Sequence, residues 1–181
     1  MKQAVILIGH GGIPTDFPVD KIGRLKALET ERQRLKTPIS PEEQALDHEI
    51  RTWPRTPKTD PFCFGIQAIA QKLAQKIPDK KLVIAYNEFC GPSIPEAAET
   101  LISNDFEQIT LLTTMFTPGG IHSEFEIPQI TRELKLKYPQ VQIIYPWPFD
   151  LEQVANFYSA VLKQPQPTNS WLRPLRSVKN E

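Results

Sequence analysis

Residues 4–12, Ala4-Val5-Ile6-Leu7-Ile8-Gly9-His10-Gly11-Gly12, run an unbroken apolar stretch straight into a histidine set among glycines. A short β-branched run without polar alternation reads as a strand covered on both faces, which is how strands of parallel sheets are buried. Working outward, the same signature returns, and residues 3–9, 81–86, 108–116 and 141–145 read as four such strands. Helical spacing lies between them. Ile66, Ile69, Ala70, Leu73, Ala74 and Ile77 share one stripe over residues 65–77, and Ile94, Ala97, Ala98, Leu101 and Ile102 share another over residues 94–103. Ser93 with Glu96 three residues later is a capping box, and Pro95 is tolerated in the first turn. Pro128 opens a further helix, with Ile127, Ile130, Leu134 and Tyr138 on one face, and Asp150 caps a last one with its stripe from Leu151 to Leu162. Strand and helix alternate, so the expected fold is α/β, a doubly wound parallel sheet of about four strands with right-handed crossovers.

One stretch breaks the alternation. From about residue 14 to residue 61 the chain is far longer than an ordinary βα loop, which makes it an insertion after the first strand. Within it residues 21–36 are charged and helix-prone, and Ser40-Pro41-Glu42-Glu43 opens a second helix with Leu46, Ile50 and Trp53 on one face. A helical hairpin is expected, standing over the sheet end that carries His10 as a lid, or else packed on a flank or at a dimer contact. Residues 1–164 are expected to form one domain around this insertion, and residues 165–181 a loosely ordered proline-rich tail.

Composition narrows the function. Of 181 residues, 40% are hydrophobic, enough for an ordinary core, and 21 lysines and arginines balance 21 aspartates and glutamates. A balanced charge lacks the positive field of nucleic-acid binding, so no nucleic-acid partner is expected. The N-terminal apolar run is too short for a secretion signal or a membrane span, which points to a cytoplasmic protein without a membrane partner. Cys63 and Cys90, the only two cysteines, have no close spacing and read as reduced, partly buried small residues.

The chemistry gathers at strand ends. His10 follows the first strand, and His122 follows the third through Thr117-Pro118-Gly119-Gly120-Ile121. Ligands of open α/β sheets bind beyond the carboxyl ends of the strands, so two imidazoles placed there can share a divalent metal ion or take up protons. Gly11, Gly12, Gly119 and Gly120 are read as making room for a bulky ligand. Neither loop carries a P-loop or a dinucleotide fingerprint, and no nucleotide is expected. Glu88, Glu124 and Glu126 lie near the same mouth as further ligands or bases, although charge at a helix start also explains Glu124 and Glu126. His48, between Asp47 and Glu49 in the insertion, reads as a solvated surface residue.

Taken together, Ile8-Gly9-His10-Gly11-Gly12, Glu88-Phe89-Cys90-Gly91-Pro92-Ser93-Ile94, Phe116-Thr117-Pro118-Gly119-Gly120-Ile121-His122 and Glu126-Ile127-Pro128 resemble the small class II chelatases that act on sirohydrochlorin. The resemblance takes in residues 1–12 and 65–163 and leaves the insertion and the tail unmatched. It implies a chelatase-like, flavodoxin-like sheet and ATP-independent insertion of cobalt or ferrous iron, with nickel a further metal to be tried, into a tetrapyrrole on the way to cobalamin or siroheme. By the same likeness His10 and His122 are the metal-binding pair; Glu88 first and Glu126 second are read as the carboxylates that help take up the pyrrolic protons, and a homodimer is expected because a single domain offers only one sheet edge as a cleft wall. Two positions depart from the pattern: Glu126 stands where the family usually has aspartate, and Phe125 where it usually has an acidic residue. Because sirohydrochlorin carries many carboxylates, some of Lys21, Arg24, Lys26, Arg32, Arg34 and Lys36 of the insertion are expected to pair with it, although surface solubility explains the same residues equally well. A non-catalytic carrier of metal or tetrapyrrole, and a hydrolase using a histidine-bound metal, are the competing readings.

Overall fold

The computed structural model describes residues 1–165. The expected loose tail falls, from residue 166 onward, outside the described residues. Four strands, β1 (Gln3–Gly9), β2 (Lys81–Tyr86), β3 (Gln108–Thr113) and β4 (Gln142–Ile144), form one parallel sheet in the order β2-β1-β3-β4. The doubly wound sheet expected from the apolar runs is therefore present. The chain steps from β1 to β2 and then crosses back past β1 to reach β3, so the winding reverses between β1 and β3. That is where the loops at the carboxyl edge diverge and leave a crevice.

Six α-helices lie among the described residues: α1 (Val19–Leu35), α2 (Pro41–Thr52), α3 (Pro61–Ala74), α4 (Ile94–Ile102), α5 (Ile127–Lys137) and α6 (Leu151–Leu162). Alternation along β1 divides its side chains between two cores. Ala4, Ile6 and Ile8 pack with Ile109, Leu111 and Ile143 against Ala97, Ala98 and Leu101 of α4 and Ile127 and Leu134 of α5. Leu7 faces the other way, toward Cys63, Ile66 and Ala70 of α3, with Tyr86 and Cys90. Continuous apolar strands are thus explained by helices on both faces.

Element boundaries moved where side chains cap or turn the chain. α3 starts at Pro61 rather than residue 65, because the Asp60 carboxylate accepts the Cys63 N–H at 3.0 Å and Pro61 fits the first turn. β3 stops at Thr113, whose hydroxyl accepts the Met115 N–H at 3.0 Å and bends the chain out of the sheet. β4 is only three residues long, since β3 offers it partners from Gln108 to Thr110.

The insertion is the expected helical hairpin. Ser40 caps α2 by accepting the Glu43 N–H at 3.1 Å, and Leu25 of α1 and Ile50 of α2 are buried together with Phe17 and Phe89. Three ion pairs join the helices: Lys21–Glu49 at 2.5 Å, Arg24–Glu42 at 2.5 Å and Arg32–Glu43 at 2.7 Å. The contacts divide the chain into two compact units, Met1–Pro148 and a second beginning at Phe149. The second unit holds α6, capped by Asp150, which accepts the N–H groups of Glu152 and Gln153. No helix among the described residues is long and apolar enough to cross a membrane.

The expected capping box is formed in full at α4: the Ser93 N–H and hydroxyl donate to Glu96 and hold its carboxyl below the ordinary value of 4.5. Ser93→Ala should cost about 1 kcal/mol of stability. A folded-state pKa below the unfolded one gives stability that is present above pH 4.5 and is lost as pH falls through the folded value. Chemical denaturation from neutral to acid should accordingly show Glu96→Gln less stable than the parent at neutral pH, with the gap closing in acid.

Candidate metal centre

Three strand ends deliver the site. β1 leads into His10, β2 into Asn87 and Glu88, and the loop after β3 into His122. The first two are locked together beyond the sheet: the Asn87 N–H donates to the Gly9 carbonyl at 2.9 Å, and the Glu88 N–H donates to the His10 carbonyl at 2.8 Å. Gly11 makes this possible. Its φ is +100°, and a Cβ there would lie 1.7 Å from the Glu88 carbonyl oxygen, so only glycine allows the two loops to pass.

His122 lies in one turn of π-helix, His122–Glu126, leading into α5. The turn is anchored at Ser123, whose hydroxyl donates to the Met115 carbonyl at 2.8 Å and whose own carbonyl accepts the Tyr145 hydroxyl at 3.1 Å. It brings Glu126 back toward the imidazole four residues earlier. The expectation of a helix starting only at Pro128 missed this turn, and with it the direct contact between His122 and Glu126.

The two imidazoles meet edge to face with ring centroids 4.9 Å apart. His10 Nδ1 lies 2.8 Å from the Gly11 carbonyl and donates to it; His122 Nδ1 lies 2.7 Å from Glu126 Oε2 and donates to that. Each ring therefore keeps its lone pair on Nε2, the form a metal ion needs. His10 Nε2 is 3.9 Å from Glu88 Oε2, and one donor atom each from His10, Glu88 and His122 lies within 4.8 Å of the other two. All three residues are half-buried, which leaves one side of the cluster open. Two neutral nitrogens and a carboxylate oxygen suit a first-row divalent ion.

Glu126 and Asn87 complete the surroundings. Burial alone would raise the Glu126 carboxyl, but hydrogen bonds from His122 and Asn87, with the charge of the two histidines, hold it below its ordinary value. Glu29 of α1 goes the other way: burial, with the neighbouring Glu88, Glu43 and Asp47, pushes it up against the opposing pull of Lys26.

The hairpin contributes two residues that the sequence did not single out. Arg51 donates to the carbonyls of Cys90 at 3.1 Å and Asn87 at 3.3 Å. Arg55 donates to the carbonyls of Gly12, Ile50 and Phe89 and pairs with Asp60. Together they clamp the loop that presents Glu88. The expected substrate-facing cations are placed differently: Lys21, Arg24 and Arg32 pair within the hairpin, Lys26 lies over the Phe89 ring at 4.7 Å, and Arg34 and Lys36 are exposed. His48 is exposed as expected and lines a groove of about 560 Å³ with Arg51, Ser93 and Glu96.

A second cluster, Asp60, Cys63 and Cys90, also lies within 4.8 Å but is fully buried. Asp60 is already committed to Arg55 and to the α3 cap, and burial pushes the Cys90 thiol up to about 12, away from the thiolate that a metal requires. Both cysteines are free thiols, in line with the reading of them as small core residues. The space beside Gly11 and Gly12 is filled by Glu88 and Asp60, whereas Gly119, at φ +88°, has open space around it.

A parallel α/β sheet with imidazoles and a carboxylate converging at its winding reversal defines a flavodoxin-like fold with a candidate metal centre. The CbiX family model matches residues 63–158, just over half of the chain, and the chain belongs to the CbiX family. The crystal structure of a CbiX protein from Marinobacter aquaeolei VT8 superimposes with a TM-score of 0.50 at 15% identity, covering 90% of this chain and 93% of that one, and so shares the fold. A sirohydrochlorin cobaltochelatase of Priestia megaterium is 29% identical over 68 residues, 38% of this chain. That match spans only 22% of the relative's length.

Arg55→Ala should leave Asp60, 2% exposed, as an unpaired buried charge and cost about 3–5 kcal/mol. Denaturant unfolding measures the loss, and amide exchange should show faster opening of residues 87–91 than in the parent.

Proposed function

We propose that this chain is a metal chelatase that inserts a divalent ion, cobalt or ferrous iron, into sirohydrochlorin or a closely related macrocycle without ATP. The observation that carries the reading is the gathering of one ring nitrogen each from His10 and His122 and a Glu88 oxygen within 4.8 Å of one another beyond the carboxyl ends of the strands. Membership of the CbiX family, and the likeness of part of the chain to a sirohydrochlorin cobaltochelatase, support the class of macrocycle.

The ion is substrate. Three protein ligands hold it while leaving coordination positions for the pyrrolic nitrogens. Insertion exchanges one divalent ion for two N–H protons, so the site must accept two protons as it gives up its metal. As the ion leaves, His10 Nε2 and His122 Nε2 recover their lone pairs beside Glu88, and these three residues become the proton acceptors. Glu126, kept ionised, stabilises the charge that then develops on His122. Ile121 and Phe125 lie just before and after His122 in the chain and are 61% and 68% exposed, an apolar surface on which a flat macrocycle would rest, with open space at Gly119, whereas Gly120 packs against the Thr117 carbonyl. The same reading takes the chain as a cytoplasmic homodimer serving cobalamin or siroheme synthesis, with nickel as a competing ion to be screened.

Metal insertion is followed by the absorbance change of the macrocycle. His10→Ala and His122→Ala should each slow it by about 100-fold or more while the circular dichroism spectrum is retained. Two variants as active as the parent would refute the assignment, and a stoichiometric complex with no release of metallated product would make the protein a carrier.

Phe125→Ser should raise KM for the macrocycle by about 10-fold, since it removes apolar area from the resting surface. Calorimetric cobalt binding should be unchanged in that variant.

A further inference from the structure

We infer that Asn87 is the positioning residue that sets which nitrogen of His122 faces the metal, and that it acts only through Glu126. The inference rests on the metal-centre reading above and goes beyond it in assigning a role to a residue outside the ligand set. Glu126 Oε2 accepts two hydrogen bonds, from His122 Nδ1 at 2.7 Å and from Asn87 Nδ2 at 2.7 Å, and the two donor nitrogens are themselves 2.9 Å apart. Three polar groups from two elements thus close a triangle behind the imidazole.

The partners differ in how firmly they are held. Glu126 is 40% exposed and sits at the end of a single helical turn, so on its own it has rotamers that turn away from the ring. Asn87 is fixed at the end of β2, its N–H on the Gly9 carbonyl at 2.9 Å and its carbonyl accepting Arg51 at 3.3 Å. The rigid sheet edge therefore supplies the donor that keeps the mobile carboxylate in place. The amide orientation has a cost: Asn87 Oδ1 is buried with no hydrogen-bond partner. Turning the amide over would set that oxygen against the Glu126 carboxylate at 2.7 Å, so the unpaired carbonyl is the consequence of aiming the NH₂ group at Glu126.

The triangle has a property that a merely structural asparagine lacks. With Glu126 present, Nδ1 of His122 must be a donor, so Nε2 carries the lone pair for the ion. With Glu126 removed, Nδ1 loses the acceptor that fixes its proton and the Asn87 amide loses the group that fixes its orientation, so the ring exchanges between its Nδ1–H and Nε2–H forms. Asn87 should help metal binding only while Glu126 is present.

The test is cobalt titration by calorimetry, together with ¹⁵N imidazole spectra of the metal-free protein, for Asn87→Ala, the isosteric Asn87→Asp, Glu126→Ala and the Asn87→Ala/Glu126→Ala double variant. Asn87→Ala and Asn87→Asp should each weaken cobalt binding by about 10-fold or more, the range of outer-shell substitutions at metal sites. The parent spectrum should show the Nδ1–H form of His122, and Asn87→Ala and Glu126→Ala should each show a mixture. In the Glu126→Ala background, Asn87→Ala should leave cobalt affinity equal. An equal loss in both backgrounds, parent-like binding by Asn87→Asp, or an unchanged His122 spectrum in Glu126→Ala would overturn the inference. Chelatase turnover is a separate readout: a parent that binds cobalt but metallates no macrocycle refutes the chelatase reading and leaves the role of Asn87 standing.

Discussion

The backbone at Gly11 runs so close to the Glu88 carbonyl oxygen that no side chain fits between them. This contact continues the pairing of β1 with β2 past the end of the sheet, with the Asn87 and Glu88 amides donating to Gly9 and His10. His10 and Glu88 are therefore set against each other by main-chain hydrogen bonds rather than by their own side chains. His122 joins them from the far side of β1, where β3 lies, because the winding of the sheet reverses there. A site whose spacing is fixed by backbone is preorganised, and its side chains have only small adjustments left to make.

Much of this was legible in the chain. β1 and β2 announce themselves by apolar runs with no polar alternation, and α2 and α4 by Ser40 and Ser93 with an acid three residues on. His10, Glu88 and His122 stand at strand ends where open sheets bind ligands, and the structure brings their donor atoms together. What stayed hidden was whatever depended on contact between distant segments. Nothing local marks His122–Glu126 as π-helix, and so the pairing of its first and last residues could not be read. Arg51 and Arg55 lie in a strongly charged insertion, where an arginine is by default a solvated side chain, and their carbonyl partners Asn87, Phe89 and Cys90 are 34 to 39 residues away. Asn87 itself looked like a loop residue beside a more conspicuous glutamate.

The hairpin shows how charge can mislead. Its basic residues were expected to face a many-carboxylate guest, yet Lys21, Arg24 and Arg32 find acids on the neighbouring helix. Exposed pairs of this kind contribute little each. The Arg32–Glu43 contact differs in that its acid is buried, and with the shared apolar cluster of Phe17, Leu25, Ile50 and Phe89 it does more to hold the insertion down.

The way Arg55 is held ties the hairpin to the loops beneath it. One guanidinium joins Gly12, Ile50, Asp60 and Phe89, so moving the hairpin would break hydrogen bonds on both sides of it. For the proposed chelatase, the hairpin would then serve as a wall, and a flat guest would enter where space is open beside Gly119.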